Sequence, residues 1–261
     1  MGNMMERNDT DFPVPEGRTI VGEEPFTFHC HAGVSCFLTC CHKVEMYLYP
    51  YDVLRLKNRL GLHSAEFMHN HARIAEGSHP YFPAVMLNMA NTKGYPCPFL
   101  RKNGCSVYKD RPSACRTYPL ERAVEKIPGQ KTLRVHYFMT HHPYCKGHQE
   151  DRKYTIRQWE RDQFLNEYNL MNDLWAEVDA FFATNPWQGE GRAGHRQQLA
   201  FMVCYNIDEF RAYCNHHNIL SRFRLRKDER RRIKRDDAEL LKFGFNWLLF
   251  VLGDRRTLQP R

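Results

Sequence analysis

A chain of 261 residues, 42% hydrophobic and 13% aromatic, can bury the core of one large globular unit or two modest ones, which excludes a disordered or low-complexity protein. The net charge of +8 is concentrated: the window from Arg222 to Arg235 holds nine Lys or Arg against two acids, and the rest of the chain is nearly neutral. Ten cysteines, with no apolar run behind a basic start in the first thirty residues, predict a cytoplasmic chain whose thiols serve metal or redox chemistry rather than disulfides.

In chain order, residues 1–27 are polar, carry Pro13, Pro15 and Pro25, and read as an irregular leader. Met1-Gly2 is no myristoylation start, because Glu6 stands where that motif needs Ser or Thr. A cysteine-rich domain over 28–150 follows, broken throughout by Gly and Pro. Within it Pro50 opens a helix whose face includes Val53, Leu54, Leu56, Lys57 and Leu60, and Gly61 ends it. Ser64 is expected to cap a second short helix through Phe67 and Met68. Apolar or alternating runs at 83–90 and 131–139 predict strands of a small sheet. A short helix starting near Asp110 is expected to aim N–H groups, with Arg111 and Arg116, at Cys115, while Arg101, Lys102 and Lys109 add positive charge near Cys97 and Cys105.

From 154 to 184, apolar residues at Ile156, Trp159, Leu165, Tyr168, Met171, Trp175, Val178 and Phe182 predict one long amphipathic helix. A loop at 185–192 leads to further helices over about 194–217 and 227–252, giving a helical domain at 151–261. The most apolar stretch, FGFNWLLFVLG from Phe243, is about half of the roughly 20 residues a membrane span needs, so it reads as a buried helix with no membrane role. The expected class is α+β: an irregular metal-binding domain of short strands and helices, then an all-helical region.

The chemistry is written in the cysteines. Cys30, Cys36, Cys40 and Cys41 are spaced C-x5-C-x3-C-C; Cys97, Cys105 and Cys115 follow as C-x7-C-x9-C, with Cys145 thirty residues later. Structural zinc sites place paired ligands two to four residues apart, so that one tight turn presents both sulfurs. This spacing differs, and in extended backbone the adjacent Cys40 and Cys41 point in different directions, which is awkward for one small ion. A [4Fe–4S] cluster offers several iron corners to four thiolates and tolerates irregular spacing, so iron–sulfur is favoured, with Zn2+ as the alternative.

The run of F-x-C, a CC doublet, CPFL, GCSVY and DRPSACRTYP resembles the bacterial YkgJ-like cysteine-cluster family, a zinc- or iron-chelating domain, over about residues 28–148. That resemblance implies ligands at Cys30, Cys36, Cys40, Cys41, Cys97, Cys105, Cys115 and Cys145. The usual opening is C-x2-C-x2-C-C; the longer one here is similar to that of flagellin lysine methylases, which implies support of protein lysine methylation as one alternative role.

Other residues carry weaker signals. His29, His31 and His42 flank ligand cysteines and His141, His142 and His148 surround Cys145; they read as hydrogen-bond partners of ligands more often than as ligands. Cys204 and Cys214 read as buried thiols on one helix, off a common face. The basic run could bind nucleic acid, but its few aromatics and the acids of RDDAELL favour a solvated helix face. The expected function is electron transfer, redox sensing or support of a partner enzyme by one or two iron–sulfur clusters; a zinc-stapled module presenting the basic helix to a protein partner is the alternative. No residue declares a catalytic role.

Overall fold

A computed structural model describes residues 12–127 and 133–261. The chain has an α+β fold and forms two compact, discontinuous units: residues 1–39 with 117–163, and residues 40–116 with 164–261.

The first unit is built on an antiparallel sheet. Strand β8 (Leu120–Lys126) pairs with β9 (Leu133–Thr140), and β1 (Arg18–Ile20) joins the other edge of β9. Thus β9 is where the run at 131–139 predicted a strand, although Lys131 and Thr132 lie outside the described residues. A second ladder joins β2 (Phe26–Thr27) to β10 (Lys153–Tyr154). The segment expected to be an irregular leader therefore supplies two short strands, anchored by Phe26 and the Arg18–Glu121 ion pair at 2.9 Å. Helix α4 (Ile156–Asp162) starts at a capping box of Thr155 and Gln158 and buries Trp159, whose Nε1 donates to the Thr117 carbonyl at 2.9 Å.

The second unit carries a large apolar core. Helix α1 (Pro50–Leu60) forms as its pattern demands, with Pro50 in the first turn and Gly61 closing it at φ 67°. Helix α2 (Ser64–His71) is capped by His63, whose ring accepts from the Ala65 amide; Ser64, expected as the cap, is already helical and gives its hydroxyl to Asn206 at 2.6 Å. Strands β3 (Tyr47–Leu48), β5 (Ala84–Leu87) and β4 (Ala72–Ala75) form one small sheet, and β6 (Leu100–Arg101) with β7 (Gly104–Cys105) form a hairpin. A one-and-a-half-turn helix, α3 (Ser113–Thr117), follows.

Each long helix expected from periodicity is broken. The 154–184 pattern divides into α4 and α5 (Asn166–Phe182), with Phe164 left-handed at φ 53° between them, at the point where the chain leaves one unit for the other. The 194–217 pattern divides at Asn206 into α6 (His195–Tyr205) and α7 (Ile207–His216). The 227–252 pattern divides at Asp236, which ends α8 (Lys227–Arg235) and caps α9 (Asp237–Gly253) by accepting from the Glu239 amide at 2.9 Å. Apolar side chains from α1, α5, α6, α7 and α9 fill the core, and Lys57 lies buried among them, 3.0 Å from both Asp208 and Asp237. Among the described residues no helix is long and apolar enough to cross a membrane.

Candidate metal centre

Five of the eight clustered cysteines fall in the second unit, on four chain segments. Cys40 and Cys41 end a 3-10 turn over Thr39–Cys41. The backbone that follows lies along residues 95–97: the Cys97 amide donates to the Cys41 carbonyl at 2.7 Å, the Lys43 amide to Tyr95 at 3.0 Å, and His42 bridges to Pro96. Cys97 then turns into the β6–β7 hairpin, which carries Cys105 opposite Leu100. Gly104 holds φ 130° there, a backbone shape that favours glycine.

Cys115 arrives from α3. That helix starts at Ser113 rather than near Asp110, and its first amide is taken up by Asp52. The Ser113 amide donates to Asp52 Oδ1 at 2.8 Å and the Ser113 hydroxyl to Oδ2 at 3.0 Å, while the Tyr49 amide also donates to Oδ2 at 3.0 Å. Asp52, wholly buried on α1, therefore fixes the helix that presents Cys115. On the thiol side, Cys115 Sγ lies 3.8 Å from Met46 Sδ.

The five thiols are linked electrostatically: Cys41 feels Cys40, Cys97 and Cys115, and Cys115 feels Cys97, Cys40 and Cys105. Burial pushes Cys97, Cys105 and Cys115 above the ordinary thiol range, and neighbouring thiol charges add to the rise at each of Cys97 and Cys115. Cys41 shares a proton with Cys40: the hydrogen bond between them raises Cys41 and lowers Cys40 to about 7, which makes Cys40 the readiest thiolate. Cys40 and Cys115 present residue surface to solvent and the other three do so in part, while the Cys115 thiol itself lies deep enough for burial to raise it. Among the described residues, no cysteine belongs to a trio of ligand atoms all within 4.8 Å of one another.

The basic surroundings differ in part from expectation. Arg111 is buried over the Tyr108 ring at 3.9 Å and favours ionised Cys105 and Cys115; Arg101 does the same for Cys97 and Cys105. Arg116 instead stacks on Tyr168 at 4.6 Å and donates to the Lys109 carbonyl at 2.6 Å, its charge helping Asp52 rather than a thiol. Lys102 and Lys109 are exposed.

Cys30, Cys36 and Cys145 fall in the first unit. The Lys146 amide donates to Cys36 Sγ at 3.1 Å, which places Cys36 beside the turn carrying Cys145. The His29 amide donates to the Gly147 carbonyl at 2.9 Å, which brings the segment bearing Cys30 to the same turn. His148 packs on Phe28 and His141, and burial lowers its pKa; His142 stacks between Tyr118 and Tyr144. Cys204 and Cys214 are buried, as expected, though on separate helices α6 and α7.

Sequence reasoning missed Asp52 and Met46, which face Ser113 and Cys115 from 61 and 69 residues away, beyond any local pattern. The basic run forms α8 and the turn before it; a hollow of about 420 Å3 is lined by Lys227, Arg230, Arg231, Lys234, Arg235 and Arg261. Its acids pair only in part within α8: Arg232 reaches Asp228 at 3.0 Å and Glu239 of α9 at 3.5 Å.

Residues 29–146 match the family model CxxCxxCC, described as "Putative zinc- or iron-chelating domain", a stretch that contains all eight clustered cysteines. No curated protein and no solved structure matches the chain.

Proposed function

We propose, from the match of residues 29–146 to the CxxCxxCC model of a zinc- or iron-chelating domain, that four of the five thiols Cys40, Cys41, Cys97, Cys105 and Cys115 hold an iron–sulfur cluster. The protein then exchanges single electrons with a protein partner. The observation that supports this reading is the spread of five thiols in one unit, none in a trio of ligand atoms within 4.8 Å among the described residues. One tetrahedral zinc with Zn–S bonds of 2.3 Å draws its sulfurs to about 3.8 Å from one another. Separate corners of a multinuclear cluster accept a wider spread.

The donor set also fits in charge. Arg111 and Arg101 favour ionised thiols at Cys97, Cys105 and Cys115 and would offset part of an anionic group. Most of the thiols are held protonated by burial, so loading releases protons and affinity rises with pH. A cluster supplies a one-electron couple whose potential follows its exposure and the hydrogen bonds to its sulfurs. The solvent-facing surface of Cys40 gives an electron a short route to a docked partner.

A dye-mediated redox titration of anaerobically purified protein tests this. A reversible one-electron couple is expected, and Cys115→Ser is expected to abolish it or shift its potential. An optically silent, zinc-loaded protein would overturn the reading.

A further inference from the structure

The first unit holds a group of ligand side chains that the thiolate reading does not use. His29, His31 and Glu150 each offer one ligand atom within 4.8 Å of the other two, and all three are partly buried. His31 Nε2 lies 3.0 Å from Glu150 Oε2, and the two imidazole rings are 4.5 Å apart. No acid other than Glu150 enters the group, so it is a mixed nitrogen and oxygen donor set rather than an acidic patch.

The backbone builds this juxtaposition. The Phe28 amide donates to the Arg152 carbonyl and the His29 amide to Gly147, both at 2.9 Å, and β2 pairs with β10, so the histidine segment lies along the segment bearing Glu150. Two glycines make room. A Cβ on Gly147 would meet the Phe28 ring at 2.7 Å and the His29 carbonyl at 3.1 Å, and one on Gly33 would meet the His31 ring at 3.0 Å. The Gly33 amide donates to His31 Nδ1 at 3.1 Å, which orients the ring with its Nε2 toward Glu150.

We propose that His29, His31 and Glu150 bind a borderline divalent transition-metal ion, zinc or ferrous iron, at a site separate from the five thiols of the second unit. Two imidazoles select such ions over calcium or magnesium, which take oxygen ligands. Two histidines and one carboxylate also leave positions for water or a small ligand, as in catalytic zinc and non-haem iron sites.

Cobalt(II) titrated into the full-length, cluster-loaded protein reads the site, because nitrogen and oxygen ligands give weak visible bands without the intense sulfur-to-cobalt charge transfer of thiolates. One equivalent with such bands is expected, displaced by zinc. His31→Gln and Glu150→Gln are each expected to weaken it at least about tenfold, with thermal midpoint and acid-labile sulfide content unchanged. The proposal falls if wild type takes up no such equivalent, or if both variants bind it unchanged. It falls equally if the bands carry sulfur charge transfer that Cys30→Ser removes, or if the variants lose acid-labile sulfide as well, since the trio would then belong to the thiolate set. Because the readout is cobalt rather than iron or sulfide, failure of the iron–sulfur reading would show separately.

Discussion

Asp52 shows how a residue with no place in any motif controls one that has. Its carboxylate is wholly buried and accepts from Tyr49 and from both the amide and hydroxyl of Ser113, two residues before Cys115. Burial outweighs these three bonds and the nearby Arg116, pushing the carboxyl from 3.8 up to about 6. A raised folded-state pKa stabilises the fold most at low pH, and that contribution is lost as pH rises through about 6. The rise corresponds to on the order of 3 kcal/mol. Asp52→Asn cannot ionise, so urea titrations at pH 4.5 and 7.5 are expected to show the wild type losing its lead over the variant at the higher pH; parallel curves would contradict this. The cysteines were legible because their number and spacing are local facts. Asp52 was not, because its partner is 61 residues away.

At the scale of elements, helix α1 was legible because Pro50, its apolar face and Gly61 all agree. Three longer helices were over-read for a common reason. Apolar periodicity persists across a break when both flanking helices bury the same kind of face, so nothing in the pattern marks Phe164, Asn206 or Asp236. Asp236 did carry a signal, since an Asp three residues before Glu239 is a cap; its basic surroundings masked it. Gly244, inside the unbroken α9, marks instead a close approach between helices. A Cβ there would meet Val203 Cγ1 of α6 at 2.6 Å and Phe210 of α7 at 2.9 Å. Alanine gains about 1 kcal/mol of helix propensity over glycine, whereas overpacking costs about 1–3 kcal/mol. Gly244→Ala is therefore expected to lower the thermal midpoint while leaving metal content unchanged; a more stable variant would show that the helices part without cost.

Across the whole molecule, the α+β class was legible in the order of short strands and helical patterns, and the match over residues 29–146 was legible in the motifs around the cysteines, such as DRPSACRTYP. The chain's return from 117 to 163 into the unit that holds residues 1–39 was not, because it rests on strand pairs such as Arg18 with Thr140, whose register no local pattern encodes. That topology gives Cys30, Cys36 and Cys145 to one unit and Cys40, Cys41, Cys97, Cys105 and Cys115 to the other. It also sets Glu150 beside His31, 119 residues earlier. The account's central claim is that the five-thiol set holds an iron–sulfur cluster. Iron and acid-labile sulfide measured on protein purified without oxygen from iron-replete cells test it most directly. Iron and sulfide in equal amounts, about four of each per chain and both reduced in Cys97→Ser and Cys115→Ser, are the predicted result; stoichiometric zinc without sulfide would contradict it.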